Sequence, residues 1–97
     1  MKTLNEYILL VSRYFHERAV NYGVKKMGIF GSVARCENNE NSDIDIYYEG
    51  KADILLRSQM KMELEKILQC PVDIFRKRER QENSDFEIQV NQDIIYV

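Results

Sequence analysis

Two cysteines, Cys36 and Cys70, are all the chain has, and their spacing matches no metal or redox motif. A disulfide scaffold and a cysteine-built metal site are excluded; both are expected to be free thiols in a reducing compartment. The one histidine, His16, lies within a helical stretch without a companion acid or cysteine at a known spacing. It is expected on the helix surface or partly buried rather than as a catalyst. No apolar run approaches the roughly 20 residues that a membrane-spanning helix needs. The N-terminal stretch 1–6 lacks the long apolar segment of a signal peptide, so the expected compartment is the cytoplasm, with no membrane partner. There is no internal repeat and no low-complexity tract. A net charge of -2 argues against strong nonspecific nucleic-acid binding. Familiar nucleotide and calcium loops are missing too. A Walker loop needs Gly-Lys-Ser/Thr and a dinucleotide fingerprint needs three spaced glycines, and neither is present. A calcium loop from Asn39 would need glycine at Ile44 and glutamate at Gly50.

What is present is 97 residues that are 44% hydrophobic and 31% charged, the composition of one small globular domain spanning 1–97. From 3 to 21 apolar residues recur at helical spacing (Leu4, Tyr7, Ile8, Val11, Tyr14, Phe15), with a Thr3–Glu6 capping box and Gly23 as the stop. Lys25–Phe30 reads as a buried strand and Ser32–Cys36 as a short helix. The stretch 37–42 reads as a polar loop and Asp43–Tyr48 as a second strand. Asp53–Gln69 is a long helix with Leu56, Met60, Leu64, Ile67 and Leu68 as its apolar stripe. Pro71 ends that helix and admits a third strand, Val72–Phe75. Residues 76–82 form a charged connector, Asn83 or Ser84 caps a final short helix, and Asp93–Val97 is a last extended segment. The order α-β-α-β-α-β-α predicts an α/β (α+β) fold, a small mixed sheet flanked by helices.

The chemistry concentrates in Gly31-Ser32 and, ten residues on, Asp43-Ile44-Asp45. Alternate residues of a strand lie about 6–7 Å apart on one face, so Asp43 and Asp45 can converge on one hard cation. Asp73 stands in a third strand of the same kind; if adjacent, it lies about 4.8 Å to the side. Three such acids can hold two metal ions for phosphoryl or nucleotidyl transfer. Without a cation they repel one another and at least one pKa rises. Gly31 lets the backbone approach phosphate, and the Ser32 hydroxyl can donate to a phosphate oxygen. Arg35, about one helical turn on, can reach phosphate or brace the acids. The basic run 76–80 reads as a solvated connector, with contact to polyphosphate or an acidic partner as its alternative.

Three segments together resemble the DNA polymerase beta-like nucleotidyltransferases, and within them the minimal nucleotidyltransferase (MNT) domain. They are Phe30-Gly31-Ser32-Val33-Ala34-Arg35, Asn41-Ser42-Asp43-Ile44-Asp45-Ile46 and Val72-Asp73-Ile74. The resemblance covers nearly the whole chain. Many members carry glycine after the arginine, where this chain has Cys36. The resemblance implies that Asp43 and Asp45 bind the metal on the nucleotide and that Asp45 and Asp73 bind the metal on the acceptor. Both ions are Mg2+. Gly31 and Ser32, with Arg35, would hold the phosphates of ATP or another nucleoside triphosphate. An acceptor hydroxyl would attack the α-phosphorus and release pyrophosphate.

Little chain follows Asp73, so the acceptor or the missing cleft wall is expected from another chain. Relatives of this kind are often antitoxins paired with helical HEPN proteins, and some adenylylate a tyrosine on that partner. The implied function is AMP transfer that silences a HEPN toxin. Two rivals stand beside it. One is a noncatalytic module acting by sequestration through a surface that includes Tyr47, Tyr48 and Tyr96. The other is a small-molecule nucleotidyltransferase whose site a homodimer completes.

Overall fold

The computed structural model describes residues 2–39, 41–78 and 84–97. Helix α1 spans Leu4–Glu17 and starts at the expected capping box. The Thr3 side chain accepts from Glu6 N and the Glu6 carboxylate accepts from Thr3 N, both at 3.2 Å. The helix does not run on to 21. Arg18 leaves helical geometry, and a 3-10 turn follows at Ala19–Tyr22, closed by Gly23 at φ +86°. Across this break the Glu63 carboxylate pairs with Arg18 at 3.0 Å and accepts from the Tyr14 and Tyr22 hydroxyls.

Strand β1 is Lys26–Phe30, helix α2 Gly31–Ala34, and strand β2 Ile44–Glu49. Helix α3 is Ile54–Leu68, strand β3 Val72–Arg76, helix α4 Asp85–Asp93, and strand β4 Ile95–Tyr96. Asp53 caps α3 by accepting from Leu56 N at 3.1 Å, and Gln69 ends it in the left-handed region at φ +57°. Ser84 caps α4 by accepting from Glu87 N; the alternative cap Asn83 and residues 79–82 of the charged connector lie outside the described residues. The final extended segment is shorter than 93–97, because α4 continues through Asp93.

The sheet order is β3-β2-β1-β4. β2 and β3 are parallel, and α3 supplies the crossover that a parallel pair requires. β1 runs antiparallel to β2 and to β4. The mixed sheet flanked by helices agrees with the sequence expectation.

One sheet face carries Met27, Ile29, Ile44, Ile46, Tyr48 and Val72, packed against Tyr7 and Val11 of α1 and Met60, Leu64 and Leu68 of α3. Ile67, expected in the α3 stripe, is 40% exposed. It sits one residue from Leu68, about 100° round the helix, and a single contact face cannot take both.

The opposite face carries Phe30 and Tyr47, covered by Val90 of α4 with Phe75 and Ile94 beside them. Gly28 makes this packing possible: a β-carbon there would lie 2.9 Å from both Ile94 Cγ1 and Ile95 O. α4 also overturns the expected aromatic surface. Tyr47 and Tyr48 are 2% and 1% exposed, because helices cover both faces of β2, and only Tyr96 of the three, at 52%, remains open. No helix among the described residues is long and apolar enough to cross a membrane.

Candidate active site

The backbone turns at Gly31, the first residue of α2 directly after the end of β1, with φ +76°. Side chains of other residues crowd the preceding carbonyl there, so glycine is favoured. A second constraint is tighter. A β-carbon on Gly31 would lie 2.2 Å from Asp45 Oδ2 and 3.1 Å from its Cγ. The Asp45 carboxylate therefore rests directly on the turn. Antiparallel pairing of Phe30 with Asp45 brings it there.

The parallel register sets Asp45 beside Asp73, with Ile44 beside Val72 and Ile46 beside Ile74. Side chains at paired positions share a face, so Asp45 and Asp73 lie on the face opposite the larger core. Asp43 immediately precedes β2 and is exposed. The Asp45 pKa is pushed up to about 6, first by burial, then by the negative charges of Asp73 and Asp43, with Arg35 opposing. The other three sequence-predicted charged residues thus act on the Asp45 carboxylate.

These acids suit a hard divalent cation by donor chemistry: carboxylate oxygens, two of them on directly paired strand positions, in a field that already resists more negative charge. As they stand, no three His, Cys, Asp or Glu side chains among the described residues are drawn into a ready-made metal cage. Mutual repulsion of like charges favours such spreading.

Ser32 follows Gly31 on α2, half-buried, and its hydroxyl has no hydrogen-bond partner among the described residues. Arg35 is the C-cap of α2. Its Nε donates to Glu37 Oε2 at 3.0 Å and its Nη1 to Asp93 Oδ2. The second contact ties α2 to the end of α4. Periodicity and spacing gave no hint of this pairing, because Asp93 lies far along the chain in a helix of weak apolar rhythm. Cys36, next in line, takes φ +59°, a conformation that glycine would adopt without strain.

Two features beneath the acids also escaped the sequence reading. Phe30 lies edge-on to Tyr47, Phe75 and Phe86, with ring centroids 6.0, 5.5 and 5.9 Å away. Glu87 is 3% exposed, and the Tyr47 hydroxyl lies 2.6 and 2.7 Å from its two carboxylate oxygens. Burial and this carboxylate hold the Tyr47 proton well above the usual phenol range. The signal for both features was the set Phe30, Tyr47 and Phe75 at one end of the acid-bearing face, which needed a covering helix.

Comparison with known proteins agrees with this geometry. The family profile described as Polymerase beta, Nucleotidyltransferase matches residues 14–97. MJ1215 of Methanocaldococcus jannaschii, assigned by name to the protein adenylyltransferases, is 42% identical over 80 residues, covering 79% of this chain and 92% of that protein. A solved structure assigned to the minimal nucleotidyltransferases superposes with a TM-score of 0.71 at 27% identity, over 97% of this chain and 95% of that one. A chain in the complex of a tri-AMPylated Shewanella oneidensis HEPN toxin with an MNT antitoxin matches with a TM-score of 0.65. That match has 19% identity and covers 93% of this chain and 70% of that one; it speaks to the fold alone.

Proposed function

The chain belongs to the polymerase beta nucleotidyltransferase family, and from that premise we propose that it moves AMP from ATP to a hydroxyl of a HEPN-type helical toxin and so acts as its antitoxin. The naming of MJ1215 as a protein adenylyltransferase supports a protein acceptor. The complex of an MNT antitoxin with an AMP-bearing HEPN toxin supports the partner class.

In this reading Gly31 and Ser32 receive the triphosphate. The missing side chain at 31 lets the Asp45 carboxylate close on the turn, and the Ser32 hydroxyl, without a partner among the described residues, would donate to a phosphate oxygen. Asp43 and Asp45 would hold Mg2+ at the nucleotide, and Asp45 and Asp73 a second Mg2+ at the acceptor. When bound, the ions supply positive charge against the phosphates and the attacking oxygen. Asp73, on the edge strand β3, would take the hydroxyl proton of the acceptor. The acceptor oxygen then bonds to the α-phosphorus as the bond to the bridging oxygen breaks, and pyrophosphate departs. Arg35 holds α2 against α4 through Asp93 and steadies the phosphate-binding turn. Burial of Phe30, Tyr47 and Phe75 under α4 gives the acids a rigid floor.

The carrying observation is the contact of Asp45 with Gly31 in a register that also sets Asp45 beside Asp73. The test mixes this chain with a HEPN partner, magnesium and ATP labelled at the α-phosphate. Label should enter the partner with wild type and not with Asp43→Asn. An unlabelled partner sinks the proposal. Full neutralisation by a binding-competent Asp43→Asn would favour sequestration instead.

A further inference from the structure

A cavity of about 480 Å3 opens at the far end of β3, the edge strand that also carries Asp73. Three guanidiniums line it: Arg57 from α3, Arg76 from the end of β3, and Arg78 just beyond. Phe75, Phe86 and Ile54 form its apolar wall. The Phe75 and Phe86 rings lie 5.3 Å apart, and Phe86 is 41% exposed. Burial raises the pKa of the Tyr48 hydroxyl while Arg57 and Arg76 both pull it down, so the two cations bear on one wall.

Among the described residues these charges are poorly matched. Arg76 Nη1 donates to the carbonyls of Lys77 and Gly50 at 3.1 and 3.4 Å, which anchors it without neutralising it. Arg57 and Arg78 have no carboxylate partner among the described residues. Asp53 also lines the cavity while capping α3, so the lining sets three cations against one carboxylate. A chain of net charge -2 thus gathers three cations about one pocket.

The position of the pocket adds meaning. Phe75 stands two residues from Asp73 on the same strand and therefore on the same face. Aromatic wall and arginines continue outward from Asp73 along the sheet edge, on the opposite side of β2 from the Gly31 turn.

We infer that this cavity docks an acidic, aromatic-bearing segment of the acceptor protein, with carboxylates on Arg57 and Arg78 and an apolar or aromatic side chain on Phe75 and Phe86. Guanidinium forks suit carboxylates, and exposed aromatic walls suit a planar anchor. The inference rests on the adenylyltransferase reading for its meaning, since it supplies the acceptor side of that reaction. A single-stranded RNA is the competing occupant. A chain of net charge -2 with a pocket of limited size favours a short acidic segment over a long polyanion.

Three fluorescent probes test this by anisotropy: a tyrosine peptide flanked by glutamates, the same peptide flanked by lysines, and a single-stranded RNA oligonucleotide. The full chain is expected to bind the glutamate peptide, more weakly as salt rises, and to ignore the lysine peptide. Arg57→Glu with Arg78→Glu should weaken binding by about tenfold or more, Lys66→Glu on the α3 surface should not, and Asp43→Asn should leave it unchanged. The milder Arg57→Gln, Arg78→Gln pair serves if charge reversal disturbs folding. Equal binding of both peptides, binding indifferent to the arginines, or binding of RNA alone overturns the inference. Arginine-dependent peptide binding without AMP transfer by wild type would overturn the enzymatic proposal and leave the docking site standing. Transfer to the partner with an unchanged KM in the arginine variants would do the reverse.

Discussion

Gly31 and Asp45 touch so closely that the carboxylate occupies the space of the side chain that Gly31 lacks: a β-carbon there would lie 2.2 Å from Asp45 Oδ2. The turn proposed to hold phosphate and the acid proposed to hold metal are thereby one unit. Moving either moves the other.

Gly31→Ala is expected to strain the backbone at φ +76° and to push Asp45 aside. Stability should fall by about 1–2 kcal/mol in denaturant titrations. AMP transfer should fall by about 100-fold, the cost of a misplaced reacting group. Transfer at the wild-type rate would contradict the coupling of turn and acid.

Asp45→Asn should have opposite effects on stability and activity. The folded chain holds the Asp45 proton up to about pH 6, against an ordinary value of 3.8. Between these values the unfolded chain releases the proton first, so stability is highest below the lower value and falls as pH rises toward 6. At pH 7 the variant should gain about 1–2 kcal/mol, allowing for solvent screening of a partly exposed group. Its stability should also stay flatter from pH 4 to 6, while transfer is lost. Magnesium should raise the wild-type melting temperature and leave the variant unmoved. Thermal melts across pH, with and without magnesium, check all three; a less stable variant at pH 7 would refute the charge argument.

Tyr47→Phe removes the hydroxyl that the buried Glu87 carboxylate accepts from. The carboxylate then has to be buried without that donor, which costs about 1–3 kcal/mol. Glu87→Gln, which keeps a hydrogen-bonding amide in place, should cost less. Equal stability of wild type and Tyr47→Phe in urea would show that α4 does not depend on this contact.

Cys36 and Gln69 both adopt the left-handed conformation, at φ +59° and +57°. Replacing either with glycine removes a side-chain clash and adds backbone freedom to the unfolded chain. The balance should favour the folded state by about 0.5–1 kcal/mol. Cys36→Gly should also leave transfer unchanged, since the Cys36 side chain is exposed. A loss of stability at either site would mean that its side chain makes a contact worth more than the strain.

Much of the fold was legible because its signals are local. The Thr3–Glu6 box, the alternation through Ile44 and Ile46, and the spacing of Met60, Leu64 and Leu68 each act within a few residues. The pairing of the Asp45 strand with the Asp73 strand was legible for a related reason. Alternation on β2 and an apolar β3 leave few registers that bury both strands. What resisted reading depends on distant partners. Arg18 pairs with Glu63 on α3, and Arg35 turns to Asp93 rather than standing free. Tyr47 is hidden because α4 folds back over it.

The sequence by itself determined the strands and helices, the glycine at the turn and the acids available to it, because periodicity, capping and backbone freedom are properties of neighbouring residues. Tertiary structure decided which face of the sheet stayed open, which arginine was committed to an acid and which three were left around a pocket. Those outcomes follow from long-range packing, where burying apolar surface on both sides of one sheet outweighs any local preference.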